Sequence, residues 1–248
     1  MTALRILNWN VQADQQTSSN GRGERILKVL REAEADVICL TESYGLNFPA
    51  EGHLIQSESS GWGWPEARGA RKVGLWSKTP WEQVNTVGSH DLPEGRYISA
   101  VTQGIRFIGV VIPYHAYRSM AKWGEQRKTV WQGAQEYLIA FQKHILSTSQ
   151  QHERTVILGD FNLQIPARGY PGKRSEVNRL REATFAGWQI PTSGEIDDPR
   201  ITKPFIDHVA LTPDLTVSET RYISRLAEDG SVISDHNGVV IDLKLRQV

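Results

Sequence analysis

Several hydrophobic runs of this chain end in residues that can hold a cation or move a proton. Asn10 closes "LNWN", Glu42 follows Val37–Thr41, and His115 follows "VIPY". Asp160 and Asn162 sit in "LGDFNL", Asp207 in "FIDHV", and Asp235 and His236 precede "NGVV". Taken singly, such residues cap turns after strands. Taken as a set, acids, amides and histidines at strand ends form an inventory for metal binding and proton transfer.

Carboxylate and amide oxygens favour a hard divalent ion, Mg2+ or, as a substitute, Mn2+. Such an ion neutralises phosphate charge and stabilises a departing oxygen. A histidine steadied by a buried aspartate exchanges a proton near neutral pH. Hydrolysis of phosphate esters is the chemistry that suits this inventory. Zinc fits less well, since no His-Glu-x-x-His occurs and the histidines lack short ligand spacing. Neither a Gly-x-x-x-x-Gly-Lys-Ser/Thr loop nor a Gly-x-Ser-x-Gly elbow is present.

Strands must carry these positions. Leu4–Trp9 alternates like a strand. Thr155–Leu158 is an apolar, β-branched run, and Gly159 after it marks a turn or a close backbone approach. Arg22–Ala35 has helical periodicity, with Ile26, Leu27, Leu30 and Ala33 on one face. Asp36 ends that unit and Val37–Thr41 follows as a buried strand, completing a β–α–β unit. Further strands are expected at His53–Gln56, Val73–Ser77, Tyr97–Gln103 and Arg106–Ile112, the last two as a hairpin around "TQGIRF". Lys128–Leu146 reads as a second helix, with Val130, Ala134, Leu138, Phe141 and Ile145 on its stripe. Ser175–Ala186 reads as a third, closed by Gly187, and Phe205–Leu211 and Asn237–Leu245 as the last strands. A β–α–β unit among hairpins predicts mixed sheets, in a two-sheet core with helices outside.

The 248 residues contain no repeat, linker or low-complexity tract, so a single domain over residues 1–248 is expected. Lys+Arg and Asp+Glu both number 28, so no global field favours nucleic acid or membrane. The sole cysteine, Cys39, lies in an apolar run and reads as core, which excludes a disulfide scaffold. No segment approaches membrane-spanning length and no signal-peptide pattern opens the sequence, so a cytoplasmic protein without an obligate protein partner is expected.

"LNWNV", "LTES", "VIPYHAYR", "LGDFN", "IDHVAL" and "SDHNGVV", in this order, resemble the endonuclease/exonuclease/phosphatase superfamily, the deoxyribonuclease-I-like fold. The resemblance implies an α/β fold: a four-layered α/β sandwich of two packed mixed β-sheets flanked by helices. It implies that Asn10, Glu42 and Asp235 hold the metal. Asp160 and Asn162 would orient water and phosphate, with Asp160 a candidate proton acceptor. His236 would be the general base or phosphate-stabilising group, its ring oriented by Asp207, and His115 would serve the leaving side. The activity implied is a divalent-metal-dependent phosphodiesterase, a nuclease with DNA or RNA as substrate. Two alternatives stay open: a phosphomonoesterase or lipid-headgroup phosphodiesterase, and a non-catalytic binding module on the same fold. "IPYHAYR" looks more like the histidine-bearing segment of secreted deoxyribonucleases than the Pro-Asn segment of abasic-site endonucleases. Leu158 and Leu163-Gln164 stand where inositol polyphosphate phosphatases carry Trp and Arg.

Some features address the substrate. Arg96 opens "RYISAV", and its guanidinium suits a phosphate. Residues 116–128 interleave Arg118, Lys122, Arg127 and Lys128 with Tyr117 and Trp123, a pattern that fits nucleic acid or a solvated helix face. "GWGWPEARGARK" joins Trp62 and Trp64 to Arg68, Arg71 and Lys72 as a candidate gripping loop. His208 neighbours Asp207 in a strand and is expected to face away from the site, while Trp9 and Trp188 are expected in the core.

Overall fold

The computed structural model describes residues 3–13, 21–61, 64–93, 95–115, 129–148, 154–165 and 174–244. Strand β1 (Ala3–Asn10), helix α1 (Arg22–Ala33) and strand β2 (Val37–Tyr44) form a β–α–β unit with parallel strands. Then come β3 (His53–Gln56), the single-turn α2 (Trp64–Ala67), β4 (Ala70–Ser77), β5 (Glu82–Asn85), β6 (Tyr97–Thr102) and β7 (Ile105–Val111). Helix α3 (Gln132–Thr148) links β7 to the parallel β8 (Thr155–Asp160), a second β–α–β unit. Helix α4 (Arg174–Thr184), β9 (Asp207–Leu211), β10 (Thr216–Ile223) and β11 (Gly238–Lys244) complete the order.

One sheet has six strands, ordered β10-β11-β1-β2-β4-β3; the other has five, ordered β5-β6-β7-β8-β9. Only β1/β2 and β7/β8 pair in parallel, so both sheets are mixed. The sheets face each other across a shared core. Leu4 and Ile6 of β1, Val239 and Ile241 of β11, Phe107 of β7, Val156 and Leu158 of β8, and Val209 of β9 fill it. The opposite faces are also covered. Leu7, Trp9, Ile38 and Leu40 lie under Ile26 and Leu30 of α1, and Ile108, Val110 and Ile157 lie under Tyr137, Leu138 and Phe141 of α3. The result is the expected four-layered sandwich. Each large side chain so buried contributes about 1.5–3 kcal/mol.

Period-two alternation positions the polar residues. Leu4 and Ile6 point between the sheets, so Asn8 and Asn10 do too. Val156 and Leu158 lead in the same way to Asp160, and Leu211 and Val209 lead back to Asp207. Asp160 and Asp207 are direct cross-strand partners. Asn8 Nδ2 donates to the carbonyls of Gly159 and His208 at 3.1 and 3.3 Å, tying the first sheet to the second. The inter-sheet core therefore ends in a polar rim. Cys39 is wholly buried in that core, and burial pushes its thiol pKa up.

Some elements differ from the sequence reading. Helix α3 starts at Gln132, because Trp131 has a φ of +69° and Gln132 Oε1 accepts the Thr129 N–H. Val130 thus precedes the helix and is exposed rather than on its stripe. Strands β5 and β10 had no apolar run to announce them; β10 is a largely exposed edge. Strand β4 begins at Ala70, so Arg71 and Lys72 belong to a strand and not to a loop. Trp188 is half-buried, whereas Trp9 is core. Among the described residues no helix is long and apolar enough to cross a membrane.

Candidate active site

The "LGDFNL" segment builds the centre. Gly159 has a φ of +143°, and a β-carbon there would lie 1.9 Å from the Val110 carbonyl oxygen. Only glycine lets β8 lie this close to β7 just before Asp160. Asp160 is 2% exposed, and its carboxylate is held from both sides. Oδ1 accepts the Asn162 backbone N–H at 2.8 Å, and Oδ2 accepts the Asn162 and Asn10 side-chain amides at 2.9 and 3.1 Å. Asn162 folds back with a φ of +51°, a conformation that Asn adopts more readily than most residues, and also donates to the Ile112 carbonyl at 2.9 Å. Burial raises the Asp160 pKa to about 7; the charges of Asp207 and Glu42 add to this and His236 opposes it.

His236 faces Asp160 from the loop before β11. Its Nδ1–H donates to Asp207 Oδ2 at 2.6 Å. Burial alone would lower the His236 pKa, but Asp207, Asp160 and Asp235 outweigh it and raise it to about 10. The three carboxylates thus favour the protonated ring. Ligand atoms of Asp160, Asp207 and His236 all lie within 4.8 Å of one another. His208 turns the other way, as alternation requires, and bonds to Thr192 and the Leu163 carbonyl.

The loop carrying His236 is fixed by the first β–α–β unit. Arg22 donates to the Ile233 carbonyl, the Ser234 hydroxyl to the Asn10 carbonyl at 2.6 Å, and Trp9 Nε1 to the His236 carbonyl at 3.0 Å. Gly238 leaves room for Trp9, whose Cγ would be 2.7 Å from a β-carbon there. The sequence signalled none of these supports, since each joins residues more than 200 positions apart.

Of the residues expected to hold a metal, Asn10 bonds to Asp160 and Asp235 lies beside His236, but neither Asp235 nor Glu42 is among the three side chains whose ligand atoms converge. Asn10 Oδ1 accepts the Gln12 backbone N–H at 2.9 Å. Asp235 is partly exposed beside His236, but its Oδ1 is buried and has no hydrogen-bond partner among the described residues. Glu42 has a φ of +50° and is ion-paired to Lys72 at 2.7 Å. Lys72 is buried; burial lowers its pKa while Glu42 opposes the fall. In sequence it stood only as one of several basic residues of a candidate gripping loop, and nothing there signalled its place against Glu42. Arg96, also buried, donates to the Val111 carbonyl, and its charge acts on Lys72.

His115 lies on the segment that leaves β7 at Val111. It is exposed and packs on Tyr114 and Trp131, and among the described residues no hydrogen bond joins its ring to the cluster. Tyr117, Arg118, Lys122, Trp123, Arg127, Lys128 and Trp62 lie outside the described residues. A cavity of about 310 Å³ is lined by Ile165, Thr192, Ile201, Lys203 and Phe205, and none of the acids and histidines of the cluster lines it.

A rim with buried carboxylates, an imidazolium and two buried cations can grip a phosphate and a metal ion and relay protons between them. No curated protein matches the chain by sequence. Solved structures do match it in shape. An AP endonuclease from Archaeoglobus fulgidus superposes with a TM-score of 0.69 at 20% identity, over 96% of this chain and 98% of that one. The 3'-5' exonuclease NExo from Neisseria meningitidis gives 0.67 at 19% identity, over 96% and 98%. TDP2 from D. rerio, complexed with a single-strand DNA product, gives 0.68 at 13% identity, over 99% and 100%. Residues 7–236 match the Endonuclease/Exonuclease/phosphatase family, so the strand-end acids and histidines stand on a scaffold with a shared ancestry, and the chain belongs to that family.

Proposed function

We propose that the chain is a divalent-metal-dependent phosphodiesterase that cleaves nucleic acid. The observation that carries this reading is the convergence of Asp160, Asp207 and His236 within 4.8 Å at the rim of the inter-sheet core. The oxygen-rich donor set fits a hard cation such as Mg2+, held by Asn10, Glu42 and Asp235, whose buried Oδ1 makes no hydrogen bond among the described residues. Bound there, the ion would neutralise phosphate charge and stabilise charge on the departing oxygen.

The chain's own groups do the remaining work. Asp160, its carboxylate aligned by Asn10 and Asn162, takes the proton of the attacking water as the oxygen–phosphorus bond forms. His236, kept as an imidazolium by Asp207, holds a non-bridging phosphate oxygen. Arg96 adds a fixed positive charge. His115 supplies a proton to the leaving oxygen as its bond to phosphorus breaks. The DNA product bound to the D. rerio neighbour and the exonuclease activity named for the Neisseria neighbour support nucleic acid as substrate.

The test is end-labelled single- and double-stranded DNA and RNA with Mg2+, Mn2+ or chelator. Wild type should cut with either ion and stop with chelator. Asp160→Ala and His236→Ala should each lower kcat by about 10²–10⁴-fold. The same trace rate in all three proteins would falsify the assignment. Release of inorganic phosphate from strand ends without shortening would make it a phosphomonoesterase instead.

A further inference from the structure

We infer that Lys72 is a resident cation of this site, competing with the divalent ion for Glu42 and turning to the substrate's phosphate when the ion binds. The inference rests on the metal-dependent reading above and adds a residue that sets how tightly the ion is held. Three observations point to it. Lys72 is only 6% exposed, and its Nζ lies 2.7 Å from Glu42 Oε1. Glu42, at the rim end of β2, has a left-handed backbone with a φ of +50°. The charges of Asp160 and Arg96 also act on Lys72, after burial and the charge of Glu42.

Buried ammonium groups persist where an anion faces them. A non-glycine residue stays in the left-handed region only where its surroundings hold it there. Strand β4 thus presents a fixed cation to the carboxylate that a metal would use. A divalent ion at Glu42 meets this positive charge at close range, and like charges at such a distance weaken binding. An ammonium displaced from Glu42 still feels the charge of Asp160, and the phosphate of a bound substrate adds a second anion for it to face. Ion and phosphate should therefore strengthen each other's binding, each by the same factor.

The experiment is a calorimetric titration of Mn2+ into the full chain, as wild type, Lys72→Met, Lys72→Gln and Lys72→Arg, with thermal unfolding to confirm that each is folded. Lys72→Met should bind Mn2+ about tenfold more tightly than wild type, and Lys72→Arg about as wild type does. Lys72→Gln carries the same expectation as Lys72→Met and replaces it should the methionine variant not fold. A short phosphorothioate oligonucleotide should tighten Mn2+ binding in wild type and have a smaller effect in the neutral variants. Equal or weaker Mn2+ binding by the neutral variants overturns the role of Lys72 and leaves the metal-dependent reading intact. No Mn2+ binding by wild type or any variant overturns both.

Discussion

His208 shows how one residue's environment sets both its role and its response to pH. It sits beside Asp207 in sequence yet is sealed behind the sheet, edge-on to Phe161 and Phe205. Nε2–H donates to the Leu163 carbonyl, while Nδ1 accepts from the Thr192 hydroxyl, which itself accepts the Val209 N–H. Burial pulls the His208 pKa down to about 3. In the unfolded chain it would protonate near 6.5. Between those values the unfolded state binds the extra proton, so this group's contribution to stability is present above about pH 6.5 and is lost as pH falls. The slope it adds is up to about 1.4 kcal/mol per pH unit. Asp160, whose pKa is raised, shifts the balance the opposite way. Urea midpoints of wild type minus His208→Gln, followed from pH 7 downward, isolate the histidine; the difference should shrink as acid is added. A difference independent of pH would mean that His208 binds a proton equally well folded and unfolded, so that burial does not lower its pKa.

At the scale of elements, β1 does more than carry Asn10. Through Trp9, Asn10 and the side chain of Arg22 just beyond it, the first β–α–β unit holds residues 233–236 and so aims the imidazolium. Ser234→Ala removes the bond to the Asn10 carbonyl and the one that Ser234 Oγ accepts from the His236 backbone N–H, while leaving every reacting side chain in place. It should cost about 1 kcal/mol of stability and lower kcat while leaving KM nearly unchanged, read by urea unfolding and steady-state rates. Strands with an inward apolar face were legible in the sequence, and so were the polar residues that ended them. Alternation fixes the face of Asp160, Asp207 and Asn10 once the strand is recognised. What alternation does not fix is the partner across space. Lys72 on Glu42, Trp9 on the His236 carbonyl and Arg22 on the Ile233 carbonyl depend on how distant strands meet. Strand β10 was hidden because an edge in water needs no apolar run, and the start of α3 because Trp131 interrupts a pattern that looked continuous.

At the scale of the molecule, both sheets contribute to one core, so neither can be wetted without the other. The order of motifs along the chain foretold this sandwich, although neighbouring strands alone would not have shown which sheet each joins. The loss of that core on opening should be a single transition in calorimetry and circular dichroism. Cys39 converts this into a chemical clock. The chain's only sulfhydryl lies shut between the two sheets, with its Sγ 4.0 Å from the Leu158 carbonyl oxygen. A thiol-specific dye can react only with molecules that have momentarily come apart. Its rate of uptake in native buffer should follow the frequency of whole-protein opening, falling with stabilising ligands and rising with urea in step with the unfolding equilibrium.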